Sequence, residues 1–240
     1  MKLENISIVM VGTTHPGNIG AAARAMSNMS ITNLVLVSPQ CPVGEIAFAR
    51  ASGAHDILDQ RRTVESLEEA IQDCHLVFGS TARSRSLSWP ELSPPNMAQK
   101  TWELDDDSKV AVVFGREHSG LTNDELQLCS YMVSIPTNPD FSSLNVASAI
   151  QVLCYEIYKS CGEVRVDTSD AADEPAATSF DIEGYFQHLE KVLLSTEFLN
   201  PDNPGQLMQR LRRLYQRANL SKNEINILRG ILSSVVKHRS

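Results

Sequence analysis

Five short apolar runs punctuate the first 136 residues: ISIVMV (6–11), NLVLVS (33–38), HLVFG (75–79), VAVVFG (110–115) and YMVSIP (131–136). None alternates strictly between apolar and polar, as a strand with one wet face does. Continuous runs suit strands covered on both sides, as in a parallel sheet. Between them lie stretches that read as helices, at 18–29, about 45–53, 64–73 and 122–129. Thr63 is placed to cap the third, and Thr122-Asn-Asp-Glu125 is a capping box opening the fourth. This alternation predicts an α/β domain on an open, mostly parallel sheet with helices on both faces.

Residues 143–160, SLNVASAIQVLCYEIYKS, predict a helix that is apolar on nearly every face until Glu156. Such a helix is buried all round, in a core or in a subunit interface. An interface is the preferred reading, because a domain of this size rarely encloses a helix, and core burial stays open beside it. The composition then shifts. GEVRVDTSDAADEPAAT (162–178) is acidic and poor in large apolar residues, which predicts a flexible linker between a domain at 1–161 and an extension at 179–240. The extension reads as three helices, at 181–198, 205–218 and 222–237, the last opening with the capping box Ser221-Lys-Asn-Glu224.

The net charge of −8 argues against a nucleic-acid partner until it is divided along the chain. Residues 1–161 hold 11 Lys+Arg against 18 Asp+Glu, and residues 162–178 hold 1 against 5. Residues 179–240 hold 9 against 6, and much of that excess lies in QRLRRLYQR. The five cysteines form no C-x-x-C pair and the six histidines no H-x-x-x-H pair, so we expect a reduced, cytoplasmic protein without a metal site. No apolar run approaches the ~20 residues of a membrane span. MKLENISIVMVG lacks the form of a signal peptide and reads as the first strand.

Chemistry-bearing residues collect in loops that follow strands, where open α/β sheets bind ligands. GTTHPGNIGAAARAM (12–26) has the layout of a phosphate cradle, but its glycines fit neither G-x-G-x-x-G nor a P-loop. It offers instead Asn18 at a helix start and Arg24 as the only charge among alanines; that arginine faces either an anion or solvent. STARSRSLSWP (80–90) carries Arg83 and Arg85 among hydroxyls. In FGREHSGLTNDEL (114–126), Gly115 and Gly120 bracket Arg116 and Glu117. In IPTNPDFSSLNVA (135–147), Ser142, Ser143 and Asn145 sit where they can cap a helix, touch a ligand, or both.

Taken together, GNIGAAARAM, FGREHSGL and SSLNVASAIQVLCYE resemble, in order and spacing, the three signature motifs of the SPOUT superfamily of RNA methyltransferases. TARSR followed by WP, with a basic helical tail, is similar more narrowly to bacterial tRNA (cytidine/uridine-2′-O)-methyltransferases that modify nucleotide 32 of the anticodon loop. The resemblance covers residues 5–161 closely and the tail loosely. It implies a C-terminal deep trefoil knot that holds S-adenosylmethionine, and a homodimer whose active site spans two subunits. Cofactor contacts are then expected at Ser80, Thr81, Ala82, Gly115, Ile135, Ser142, Ser143 and Leu144. The active residues are expected to be Asn18, Arg24, Glu117, Ser143 and Asn145, with Arg83, Arg85 and Arg116 supporting RNA binding. In the tail, Arg210, Arg212, Arg213 and Arg217 are expected to meet tRNA phosphates.

The implied reaction is attack of a ribose 2′-hydroxyl on the methyl of a sulfonium, which asks for positioning and for removal of one proton. A guanidinium with pKa above ~12 is a poor base near neutrality. Arg24 is therefore expected to bind the adjacent phosphate and orient the hydroxyl, with the proton passing to phosphate or solvent. Two alternatives stay open: a methyltransferase acting on ribosomal RNA or on another tRNA position, and a non-catalytic RNA-binding dimer.

Overall fold

Seven parallel strands form one sheet in the computed structural model, which describes residues 1–81, 90–161, 175–202, 205–218 and 220–237. The strands are β1 (Ile6–Val11), β2 (Asn33–Val37), β3 (Arg62–Val64), β4 (Leu76–Ser80), β5 (Glu91–Leu92), β6 (Val110–Phe114) and β7 (Tyr131–Val133). Their order is β3-β2-β1-β6-β4-β7-β5. Helices α1 (Pro16–Ser27), α2 (Glu45–Ala51), α3 (His55–Asp59), α4 (Leu67–Ile71), α5 (Pro94–Trp102), α6 (Asn123–Gln127) and α7 (Val146–Lys159) cover it.

The unbroken apolar runs have the cause expected of them. Side chains alternate across a strand, so Ile6, Ile8 and Met10 of β1 enter one core while Val9 and Val11 enter another. In β6, Val110, Val112 and Phe114 join the first core and Ala111 and Val113 the second. Residues of α1, α2, α3, α5 and α7 fill the first face, and those of α4 and α6 the second. Small residues bring α1 close to α2: a Cβ on Gly20 would stand 2.0 Å from the Ala47 carbonyl oxygen.

One helix cap, and one of the two readings of the 143–160 helix, need correction. Thr63 does not cap the helix after it, because 62–64 is a strand at the sheet edge. Ser66 is the cap of α4, its Oγ accepting from Glu69 N at 3.2 Å. The second is enclosure of α7 in the core, the alternative to an interface: its own chain buries this helix on one side only. Ala149, Ile150, Leu153, Cys154 and Ile157 enter the core, while Tyr155 and Tyr158 remain 48% and 45% exposed. Trp102 Nε1 donates to the Ile157 carbonyl at 2.9 Å and fastens α5 to α7.

β7 lies between β4 and β5, so the 81–90 connection joins two strands that flank a third. Both its ends are held by β7: Thr81 N donates to Val133 O at 3.0 Å, and Met132 N donates to Pro90 O at 2.9 Å. The knot implied by the resemblance turns on how the chain passes this connection, and residues 82–89 lie outside the described residues.

A second compact unit holds α8 (Ser179–Ser195), α9 (Leu207–Gln216) and α10 (Lys222–Lys237). Tyr185, Phe186, Leu189 and Ile225 are buried at its centre, and Tyr185 and Phe186 both pack against Tyr215. Of the expected linker, residues 162–174 lie outside the described residues. The remainder is part of this unit. Ala177 is buried, its N–H donates to Leu220 O at 3.0 Å, and Lys222 N donates to Pro175 O at 2.9 Å.

Candidate active site

Three loops at the carboxyl ends of β1, β6 and β7 converge through side chains. The loop after β1 turns at Gly12, whose φ of +60° suits glycine. It then enters α1, where the His15 ring accepts from Gly17 N at 3.1 Å as the N-cap and Pro16 takes the first helical position. Asn18 is thereby fixed on the first turn.

The loop after β6 folds back on itself. Arg116 N donates to Gly120 O at 3.2 Å and Gly120 N returns to Arg116 O at 2.9 Å. A Cβ on Gly115 would stand 2.1 Å from the Gly120 carbonyl carbon, so no larger residue fits that return. The Arg116 side chain lies over Gly12, and its Nη1 donates to both Glu125 carboxylate oxygens at 3.0 Å. Glu125 also closes the capping box of α6, accepting from Thr122 N at 2.7 Å. With Arg116 held in this framework, Glu117 is the acidic group turned toward the first loop.

Glu117 accepts from Asn18 Nδ2 at 2.9 Å, from Thr14 Oγ1 at 3.0 Å and from Thr14 N at 3.3 Å. Burial pushes its carboxyl up, but hydrogen bonds from Asn18, its own backbone and Thr14 together outweigh this. The group is held below the ordinary carboxylate value and stays an anion. The third loop supplies Asn145, the N-cap of α7, whose Oδ1 accepts from Ala147 N at 2.9 Å. That leaves its Nδ2 to donate to Asn18 Oδ1 at 3.0 Å. The orientation of both amides follows: a backbone N–H fixes one end, a carboxylate the other, and no two acceptors face each other along the chain of bonds.

Beside this chain of bonds is a cavity of about 300 Å³. Ser80, Thr81, Phe114, Gly115, Glu117, Ile135, Ser142, Ser143, Leu144 and Asn145 contribute to its walls. Hydroxyls and backbone groups alternate there with apolar surface. The volume falls at the small end of the ~300–1,000 Å³ usual for ligand sites.

Residues 5–155 match the family described as "SpoU rRNA Methylase family". The chain belongs to the SpoU methylase family. Residues 180–240 match a second description, "tRNA methyltransferase TrmJ, C-terminal domain". A tRNA (cytidine/uridine/adenosine-2′-O-)-methyltransferase TrmJ of Pseudomonas aeruginosa is 48% identical over 98% of this chain and 95% of its own. A tRNA (cytidine/uridine-2′-O-)-methyltransferase TrmJ of Cronobacter sakazakii is 45% identical over 99% and 98%. The crystal structure of TrmJ from Z. mobilis ZM4 superposes with a TM-score of 0.81 at 33% identity, covering 95% of this chain and 98% of that one.

In this SpoU methylase, Ser80, Thr81, Gly115, Ile135, Ser142, Ser143 and Leu144 all line the one cavity, and Ala82 lies outside the described residues. Asn18, Glu117 and Asn145 are joined by hydrogen bonds, and Ser143 lies on the cavity wall next to them. Arg24 is not brought to this group. It is exposed on α1, six residues past Asn18, which helix geometry translates to about 9 Å along the axis and about 120° around it. Arg83 and Arg85 lie outside the described residues.

In the second unit Arg212 departs from the expectation of a phosphate contact. It turns inward, donating to Glu183 at 2.7 and 2.9 Å with its guanidinium 4.5 Å from the centre of the Phe186 ring. Arg212 is half-buried, whereas Arg210 and Arg217 are exposed. Sequence reasoning missed Thr14, which donates to Glu117 twice, and His118, Ser119 and Thr137, which line the cavity. The strand-end rule that singled out Asn18 applied equally to Thr14.

Proposed function

We propose that this SpoU methylase transfers a methyl group from S-adenosylmethionine to the ribose 2′-hydroxyl of nucleotide 32, a cytidine or uridine, in the tRNA anticodon loop. The observation that carries the reading is that Glu117 and Asn145 belong both to the cavity wall and to the hydrogen-bonded chain through Asn18. Cofactor pocket and reaction geometry are therefore built from the same residues. A TrmJ-type C-terminal region and near-full-length identity to enzymes named for tRNA support tRNA over ribosomal RNA.

The donor set suits S-adenosylmethionine. The hydroxyls of Ser80, Thr81, Ser142 and Ser143 and nearby backbone groups would hold its polar groups, and Ile135 and Leu144 would offer its base an apolar surface. When bound, the cofactor supplies an electrophilic methyl on a sulfonium. This chain's residues supply position. Glu117, kept anionic, holds Asn18; Asn18 holds Asn145; and Asn145 fixes the start of α7 and with it the Ser142–Ser143 wall. Ser143, on the cavity wall, meets the incoming ribose. Arg24 binds the phosphate beside the target and aligns the 2′-hydroxyl, whose proton leaves to phosphate or solvent.

Because Arg24 is exposed on α1, more than a helical turn beyond Asn18, the reading has it serve the site of a second copy, in a homodimer using the exposed side of α7. Mixed dimers test this. One subunit carries Arg24→Ala and the other Asn145→Asp. A shared site leaves one of two sites intact and restores activity; a site built within one chain leaves none.

The function itself is tested by incubating the protein with S-adenosylmethionine and unmodified tRNA transcripts and mapping ribose methylation. A 2′-O-methyl at nucleotide 32 is expected. Methylation confined to ribosomal RNA, or at another tRNA nucleotide, overturns the assignment of substrate. Arg24→Ala separates roles: unchanged tRNA affinity with a collapsed single-turnover rate rules out phosphate binding as its task.

A further inference from the structure

We propose that Phe141 is a stacking platform for a nucleobase of the RNA substrate, next to the reacting nucleotide. Phe141 is the most exposed of the large apolar side chains described, at 80%. A lone exposed phenylalanine says little by itself. What distinguishes this one is how firmly it is held and where.

It ends a short 3-10 turn, Pro139–Phe141, with proline in the first position. Phe141 N donates to Asn138 O at 2.9 Å, and Asp140 N donates to the Asn138 side chain at 3.0 Å. Thr137 Oγ1 donates to the Ser142 carbonyl at 3.1 Å, closing the turn on its far side. A preorganised backbone therefore carries a flat ring outward, so little backbone freedom remains to be lost when a partner covers it.

The location chooses the partner. Ser142 and Ser143, the next two residues, line the cavity, and Asn145 belongs to the hydrogen-bonded chain at Glu117. Even a fully extended backbone places Phe141 within about 7 Å of Ser143, Cα to Cα. A ribose presented at Ser143 therefore brings its own base or a neighbouring base within reach of the ring. Single-stranded RNA loops are recognised largely by stacking unstacked bases on aromatic side chains, and any base offers the face required.

The inference rests on the proposed RNA-methylating activity, and the test separates the two. Wild type, Phe141→Ala, Phe141→Leu and Phe141→Tyr, each as the full chain, are compared on one tRNA transcript. The measurements are KM and kcat for tRNA, Kd for S-adenosylmethionine by titration calorimetry, and sedimentation velocity. Stacking predicts that Ala and Leu both raise KM for tRNA roughly tenfold to a hundredfold while Tyr stays near wild type. Cofactor affinity and sedimentation stay unchanged. If Leu restores what Ala loses, the ring is an apolar contact and the proposal fails. If Ala changes the sedimentation of the protein, Phe141 is a contact between copies and the proposal fails. If wild type methylates tRNA and Ala matches it, the proposal fails while the activity stands; if wild type neither binds nor methylates RNA, both fail.

Discussion

Asn145 Nδ2 donates to Asn18 Oδ1 at 3.0 Å, joining residues 127 positions apart in the chain. One side chain is the cap of α7 and the other sits in the first turn of α1, so this single bond ties two helix starts across the carboxyl edge of the sheet. Because Asn145 Oδ1 is engaged by Ala147 N and Asn18 Nδ2 by Glu117, neither amide can turn over without losing a bond.

Asn145→Asp separates capping from the relay. Aspartate is as good an N-cap as asparagine, so thermal stability stays near wild type. The new oxygen faces Asn18 Oδ1, acceptor against acceptor, and the methyl-transfer rate falls about a hundredfold. Asn145→Ala loses the cap as well and about 1 kcal/mol of stability. Thermal melts and single-turnover rates on the same samples distinguish the two.

Glu117 gives the protein an acid-side signature. Its folded pKa is depressed, so its contribution to stability is present above the unfolded value of about 4.3 and is lost as pH falls through the folded value. Glu117→Gln places a donor where Asn18 and Thr14 already donate, and stability at pH 7 falls by about 0.5–1.5 kcal/mol. Denaturation of both proteins between pH 7 and pH 2 checks this. The gap between them narrows toward the acid end, and a constant gap contradicts the assignment.

Gly115→Ala forces a methyl into the return of the 115–120 turn, 2.1 Å from the Gly120 carbonyl carbon. A loss of about 1–3 kcal/mol is expected, with weakened cofactor binding, since both glycines line the cavity. Denaturant titration and calorimetry measure the two effects.

Among the arginines of α9, the effects divide by contact. Arg212→Ala strands Glu183 and uncovers Phe186, costing the second unit about 1–3 kcal/mol. Arg210→Ala and Arg217→Ala leave stability unchanged and each lower the slope of log K for tRNA against log salt by about 1. Binding isotherms at four salt concentrations, beside melts, assign each arginine.

Thiol labelling reads burial directly. Burial pushes Cys74 and Cys154 up to about 12 and raises Cys129 as well, while Cys161 is exposed. Iodoacetamide at pH 8 is expected to modify Cys161 first, then half-buried Cys41, and the remaining three only on unfolding. Peptide mass spectrometry over a time course gives the order.

The central strands were legible because they are buried on both faces and so carry long apolar runs with no alternation to misread. β3 and β5 were not: one is three residues with an arginine at the sheet edge, the other two residues after a proline. Helix α5 was hidden by Pro94 and Pro95, although Ser93 followed by proline is itself a start signal and Ser93 Oγ does accept from Asn96 N. At the site, Asn18, Glu117 and Asn145 were legible as motif positions, but no spacing rule states that they hydrogen-bond in series. Nor could spacing foresee the inward turn of Arg212, which depends on Glu183 lying on a neighbouring helix.

The position of β7 between β4 and β5 also sets an order of events. A ribosome delivers β4 and β5 well before β7, so for a time these two strands have nothing between them and the 81–90 connection has neither end tied. Val133 arrives to fasten Thr81 at one side, and Met132 fastens to Pro90 at the other. Ile135, Ser142, Ser143 and Asn145 are made later still. Within the first unit the pocket is therefore among the last features the growing chain can complete, and a product truncated before Tyr131 would keep an open sheet with unpaired strand edges and no site.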